Sequence, residues 1–308
     1  MILHRLLPTL VFVLLLPAAA VAQDSFVVMS VKGKVEHAPK KNAKSWTPLT
    51  VGMTLKATDV VRTSFSSYAK LMVNSQRLVS IDQNATRQLS TLVPKKAARS
   101  SENAAGAIMQ YAAAQMQRAR DDKVHNTYGA VRGTSPVFEA LFPLATERGG
   151  TMAFTWVDDD PVPTYEVIIQ DERNDIVDRR MVEGTQFTAD PGVLPLAQGG
   201  SYRWSVVRMT DGAASAPRSF RVLDADTALV IAREVEQLEK ELAAMGSDSV
   251  TTHVVRGVYF ERRSLFADAC REYLAAIRLA PDVDEYREIL RGMLASQQLP
   301  ADESLLLR

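Results

Sequence analysis

With 308 residues, 46% of them hydrophobic, the chain is long enough to bury more than one core, and 36 Lys and Arg against 36 Asp and Glu leave no net charge. Its single cysteine, Cys270, excludes an intramolecular disulfide, so packing alone must hold the fold. The charge is unevenly spread: residues 23–132 hold 17 Lys and Arg against 7 Asp and Glu, and residues 133–308 hold 18 against 29.

Met1 to Ala22 combines His4 and Arg5 with an apolar run from Leu6 to Leu16, broken only by Pro8 and Thr9, and a small-residue exit, Ala20-Val21-Ala22 before Gln23. That order predicts a cleavable secretory signal over residues 1–22. A membrane anchor is the alternative, but the run falls short of the ~20 apolar residues that span a bilayer, and two prolines interrupt or end it. The mature chain is therefore expected in the periplasm, without a transmembrane segment. There its basic front half suits anionic envelope polymers or lipid head groups, while the acidic back half argues against nucleic acid. Pairing of the two halves with each other is the alternative use of the same charges.

Residues 23–94 read as β structure. Phe26 to Val35, Val60 to Arg62, Tyr68 to Val73 and Leu78 to Asp82 are rich in Val, Tyr, Phe and Ile, and Ala69, Leu71 and Val73 alternate with Tyr68, Lys70 and Met72. Gly33 and Gly52 suit sharp reversals. The order Gly33-Lys34-Val35, Trp46 to Leu49, Gly52 to Leu55, Asp59 to Arg62-Thr63 and Ala69 to Val73 resembles the FecR domain, a β-rich module of the bacterial envelope. Val131-Arg132-Gly133-Thr134 echoes an element that often follows it. The resemblance implies binding rather than chemistry. Signalling members of that family carry a cytoplasmic tail and a spanning helix ahead of the domain, which this sequence lacks, so direct control of a cytoplasmic sigma factor is not expected. A periplasmic sensory module acting with a separate membrane partner is the alternative.

Residues 95–128 shift to Ala, Gln, Met and Arg, with Ile108, Tyr111, Ala112, Gln115 and Ala119 at helical spacing, and are expected to form a helical linker. Residues 129–223 return to β alternation. Phe154-Thr155-Trp156, Tyr165 to Ile169 and Tyr202 to Val207 are separated by Asp-, Pro- and Gly-rich turns, the look of a small antiparallel sandwich. The early Phe-x-Trp and the late Gly200-Ser201-Tyr202-Arg203-Trp204 resemble fibronectin type III and immunoglobulin-like modules, which implies that Trp156 and Trp204 sit in the core. A sugar-stacking platform is the alternative for these two rings.

Residues 224–308 are helical. Ala228, Ile231, Val235, Leu238 and Leu242 make a stripe, Glu236 and Lys240 an i,i+4 pair, Gly246 a stop, and Ser247 or Asp248 a cap for the next helix. Gly257, Phe260, Ala269, Tyr273, Ala276 and Pro281 then follow at offsets 0, 3, 12, 16, 19 and 24, and resemble a tetratricopeptide repeat of about 34 residues. His253 stands where that family usually has Trp. A single repeat cannot bury its own face, so the helix before it and residues 285–296 are expected to complete a stack.

Chemistry is sparsely provided for. His37, His125 and His253 lie in different segments, none with a second His or a Cys at ligand spacing, so no metal, cofactor or catalytic residue is expected. Ser67 and Lys70 match Ser-x-x-Lys, but at the entry to an alternating strand an offset of three puts them on opposite faces. Asp158-Asp159-Asp160 reads as a solvated turn rather than a calcium loop, and Cys270 as a small core residue. No P-loop or dinucleotide glycine fingerprint is present, and Lys95, Lys96 and Arg99 lack interleaved aromatics. The whole reads as a multidomain β plus α protein: a FecR-type module, a helical linker, an immunoglobulin-like sandwich and tetratricopeptide-type hairpins. It is expected to be non-enzymatic and to bind an envelope protein, an anionic envelope polymer, or both. Lys56, Arg62 and Lys70 are the candidates for the anionic ligand, and Arg256, Arg263 and Arg271 for a protein partner.

Overall fold

The computed structural model describes residues 24–40, 44–74, 77–93, 104–125, 138–148, 151–190 and 193–300. The stretch expected to be a secretory signal, the basic residues 95–99 and residues 131–134 lie outside them. The described chain is of mixed β/α class, with several antiparallel sheets and five helices.

The first eight strands are β1 (Ser25–Lys32), β2 (Val35–Ala38), β3 (Thr47–Pro48), β4 (Thr54–Lys56), β5 (Val60–Thr63), β6 (Tyr68–Val73), β7 (Arg77–Ile81) and β8 (Thr86–Gln88). They form two four-stranded sheets, in the orders β4-β1-β6-β7 and β3-β2-β5-β8. Phe26, Val28, Leu55, Val61, Leu71 and Ile81 fill the space between them. The expected alternation in β6 holds: Ala69, Leu71 and Val73 face this core, while Met72 points the other way into a second one.

β1 serves both cores by ordinary alternation: Phe26 and Val28 face the sandwich interior, Val27 and Met29 the opposite side. Its register against β6 shifts between Val28 and Ser30. The Met29 carbonyl accepts a hydrogen bond from the Tyr286 hydroxyl at 3.1 Å. Beside it the Ser30 hydroxyl donates to Asp248 Oδ2 at 2.5 Å.

The second set of strands is β9 (Phe138–Phe142), β10 (Ala145–Glu147), β11 (Met152–Asp158), β12 (Thr164–Asp171), β13 (Ile176–Glu183), β14 (Gln186–Ala189), β15 (Ser201–Arg208) and β16 (Arg218–Val222). Sheets β10-β16-β15-β12-β13 and β14-β11-β9 enclose one aromatic core. Both Trp156 and Trp204 are buried there, which removes the sugar-platform alternative. Phe154 meets Trp204 edge-on, with centroids 5.2 Å apart, and the Trp204 indole N–H donates to the Pro143 carbonyl at 2.9 Å. The acidic turn is less solvated than expected. Arg208 reaches back from β15 to hold Asp158 through both carboxylate oxygens, and the Tyr165 hydroxyl donates to the same group at 3.0 Å. Only a cross-strand partner fifty residues away could have revealed this, and nothing local in the sequence marks it.

The helices are α1 (Ala104–His125), α2 (Ala225–Ala244), α3 (Ser249–Arg262), α4 (Phe266–Leu279) and α5 (Asp284–Ser296). Asp224 caps α2 by accepting from the Thr227 amide, and Asp248 caps α3 by accepting from the Thr251 amide. Gly246, at φ +73°, turns the chain between them. In the α3–α4 hairpin a Cβ on Gly257 would lie 2.4 Å from the Tyr273 ring, so only glycine permits this approach.

The stretch expected as a linker is a helix packed into the core. α1 packs against α2, α3, α5 and β1. Its buried residues include Ala105, Met109, Ala112, Met116 and Ala119; Ala112 and Ala119 belong to the expected row, while Ile108, Tyr111 and Gln115 of that row are half-buried at its margin. Alanine contributes little contrast to a periodic pattern, so Ile108 and Tyr111 drew the expected stripe to the margin of the buried face and Met109 and Met116 went unmarked. Met109 and Met116 join Met29, Val51, Met72, Val255, Tyr286 and Leu290 in one continuous core. No helix among the described residues is long and apolar enough to cross a membrane.

Two substitutions test this junction. Gly52 sits at φ +77°, and a Cβ there would lie 2.5 Å from the Met116 carbonyl oxygen. Gly52→Ala is expected to lower the unfolding free energy by about 2–4 kcal/mol, and Tyr286→Phe, which orphans the buried Met29 carbonyl, by about 1–3 kcal/mol. Urea denaturation of each variant measures both, and wild-type midpoints would contradict the junction described.

Candidate functional site

The residues expected to capture an anion do not converge. Lys56 ends β4 at the edge of one sheet, whereas Arg62 lies on β5 of the other. Arg62 donates to Glu36 at 2.8 Å and its guanidinium lies 4.1 Å from the centroid of the Trp46 ring. Lys70 turns toward the helices, where its Nζ donates to the Gly246 carbonyl at 2.6 Å. The exposed cation inferred from strand alternation is thus a brace between the first sandwich and the end of α2.

The protein-binding trio separates as well. Arg256 is held between Glu239 at 2.8 Å and Glu272 at 2.7 Å. Arg271 pairs with Asp268 one helical turn away. Arg263 is bound to Glu234 but also lines a cleft. Position along a helix told which arginines are near each other; which carboxylates face them from α2 and α4 follows only from the packing.

The reactive side chains are occupied by local structure. Ser67 Oγ accepts from the Lys34 amide at 2.9 Å and donates to the Phe65 carbonyl at 3.1 Å. His37 Nε2 lies 2.8 Å from the Thr47 hydroxyl, and burial holds its pKa below the ordinary value although Asp59 acts the other way. His253 Nδ1 lies 2.7 Å from Glu272, and the His125 side chain is outside the described residues. Burial pushes the Cys270 thiol up to about 12, which leaves no thiolate at neutral pH. Among the described residues no three His, Cys, Asp or Glu side chains gather as a metal site.

Ionisable groups of two modules do meet where the second sandwich rests on the helices. Arg148, just after β10, donates to both oxygens of the buried Asp268 of α4, at 2.8 and 2.6 Å. Its guanidinium also lies 4.9 Å from the Phe260 ring centroid. Glu147 is buried beside this pair. Burial first, and the Asp268 charge second, push its carboxyl from the ordinary 4.5 to about 8, against the Leu144 amide and the guanidiniums of Arg271 and Arg148. The cluster joins modules and opens onto none of the larger clefts.

Among the described residues two clefts stand out between modules or helices. One, of about 500 Å³, separates the first sandwich from the helical stack and is lined by Ser30, Lys32, Gly33 and Tyr68 on one side and Pro281, Asp282 and Glu285 on the other. The other, of about 490 Å³, opens between α1, α2 and α3. Ala107, Ile108 and Leu238 form its floor with the Tyr259 ring, and Arg233, Arg262 and Arg263 stand at its rim. Arg233 and Arg262 were not singled out by the sequence, although their spacing from Glu234 and Tyr259 on two adjoining helices is the signal that packing made meaningful.

No protein-family model matches the chain, and no curated protein matches it. Among solved structures, the BSP domain of a biofilm-associated protein overlaps 66% of this chain and 25% of its own at 11% identity and a TM-score of 0.20. Domains FN1–FN3 of chicken CNTN1 overlap 64% of this chain and 52% of their own at 9% identity and a TM-score of 0.20. A β-D-glucuronidase of Dictyoglomus thermophilum overlaps 65% of this chain and 44% of its own at 7% identity and a TM-score of 0.19. The chain thus spans between a quarter and about half of these proteins, and overlaps of this quality do not amount to a shared fold.

The Glu147 cluster gives a signed pH dependence. Because folding raises this pKa, the stability contributed by the group is complete below about pH 4.5 and falls as pH climbs toward 8. Glu147→Gln stays neutral throughout and is expected to exceed the parent by about 2–4 kcal/mol near pH 8 and to match it near pH 4. Urea titrations at the two pH values check this; a gain of equal size at both would contradict it.

Proposed function

We propose that this chain is a non-enzymatic binding or scaffold protein of the cell envelope, exported to the periplasm and built from a FecR-type β module, an immunoglobulin-like sandwich and a tetratricopeptide-type helical stack. The observation that carries the reading is the cleft of α1, α2 and α3, where an apolar floor is edged by three guanidiniums and one carboxylate. That lining suits recognition of a protein segment, since it offers area for apolar side chains and charge for orientation. Support comes from the continuous core through Met29, Met116 and Tyr286, which holds the first sandwich and the helices at a constant spacing, as a bridging protein requires. An anionic envelope polymer is the second ligand of this reading, met by the basic first module through Lys56 on its edge strand.

A photo-activated cross-linking residue placed at Gln237, which lines the cleft, is expected to give a discrete adduct with an envelope protein in living cells. The same residue at Arg173, on an exposed turn of the second sandwich, is expected to give none. Purified cell-wall fractions test the polymer arm, with Lys56→Glu expected to reduce co-sedimentation. No adduct from Gln237 together with no wall binding would remove the reading.

A further inference from the structure

The cleft between α1, α2 and α3 inverts the charge of its surroundings. Residues 133–308 are acidic in sum, 29 Asp and Glu against 18 Lys and Arg, yet the cleft gathers Arg233, Arg262 and Arg263 against Glu234 alone. Glu234 is already engaged, accepting from the Tyr259 hydroxyl at 2.6 Å and from Arg263. Arg262 lies over the Tyr111 ring with its guanidinium 5.0 Å from the centroid. No carboxylate pairs with Arg233 or Arg262 among the described residues. The two guanidiniums therefore stand on adjacent helices with charge to offer.

The apolar part of the lining continues beyond the cleft. Val230 is three and four residues ahead of Arg233 and Glu234, hence on the same face of α2, and it and its neighbour Leu229 are 48% and 50% exposed. Ile108 and Leu238 extend this surface inward to the Tyr259 ring. A polyanion would use the arginines and leave the floor empty; an acyl chain would use the floor and need no second guanidinium. A peptide that carries carboxylates beside aliphatic side chains uses both.

Resting on the reading of this cleft as a protein-binding site, we infer that its occupant is an acidic, leucine-type peptide segment, laid along α2 with its aliphatic side chains on Ile108, Leu238 and Val230 and its carboxylates on Arg233 and Arg262. The probe is a synthetic helix-forming peptide of about four turns, with leucines on one face and glutamates flanking them, and a twin in which every glutamate is lysine. Fluorescence anisotropy with the full mature chain is expected to show saturable binding of the acidic peptide at least about tenfold tighter than its twin, weakening as salt is raised. Arg233→Glu, an exposed position whose substitution leaves the packing intact, is expected to lose about tenfold of that affinity, and Ile108→Glu to lose it as well with the circular dichroism unchanged. Equal binding of both peptides, binding of neither, or equally tight capture of dextran sulfate or of anionic lipid vesicles at Arg233 would overturn the inference. If the Gln237 cross-linker captures an envelope protein while both peptides fail, the chemistry assigned to the partner is wrong and the cleft remains a protein site; if it captures nothing, the site itself falls.

Discussion

The backbone of α1 approaches the turn at Gly52 so closely that no side chain fits between them, and the relation of the first sandwich to the helices depends on that contact. Close approach needs small residues on both sides. α1 supplies Ala105, Ala112, Ala113 and Ala119, and the turn supplies a glycine at positive φ. Between the alanines, Met109 and Met116 fill the remaining gaps against Met29, Val51 and Met72, a use to which the unbranched, flexible methionine side chain is well suited. The junction is therefore a packed interior rather than a hinge, and the hydrophobic effect acts across it as it does within a single domain.

Polar contacts set the register of this interior. The bulge in β1 offers the Met29 carbonyl to Tyr286 and the Ser30 hydroxyl to Asp248, which at the same time caps α3. Lys70 closes on the carbonyl of Gly246, just past the end of α2, where the helix dipole favours a cation. At the other junction Arg148 and Asp268 are paired with good geometry, but Glu147 is carried along into the same low-dielectric space. A buried pair of this kind contributes specificity of docking more readily than net stability. The same element that aligns the second sandwich on the helices thus holds the least comfortable carboxylate of the described chain.

With the modules braced in this way, the surfaces left for function are those the junctions do not consume. Most arginines of the helical stack answer a neighbouring carboxylate, as Arg256 answers Glu239 and Glu272. Guanidiniums that do not are informative for that reason, and at the α1–α2–α3 cleft they flank an apolar floor. The cleft exists only because α1, which precedes the second sandwich in the chain, returns to lie beside helices more than a hundred residues later. Recognition is then a property of the assembled body and belongs to no module alone.

Local chemistry was enough to set the β character of residues 25–88, the alternation in β6, a cap for α3 at Ser247 or Asp248, the stop at Gly246, the burial of Cys270, and the close fit of Gly257 on Tyr273. Each of these follows from dihedral preference, period or side-chain volume within a few residues or one hairpin. Whether Lys70 was a free cation or a brace, whether Asp158 was solvated, that Met109 and Met116 of α1 were buried and which described arginines lacked a carboxylate were decided by partners between fifty and nearly two hundred residues away. Period and propensity act along the chain, whereas desolvation and ion pairing depend on what lies across a gap, so those outcomes were settled only when the modules closed on α1.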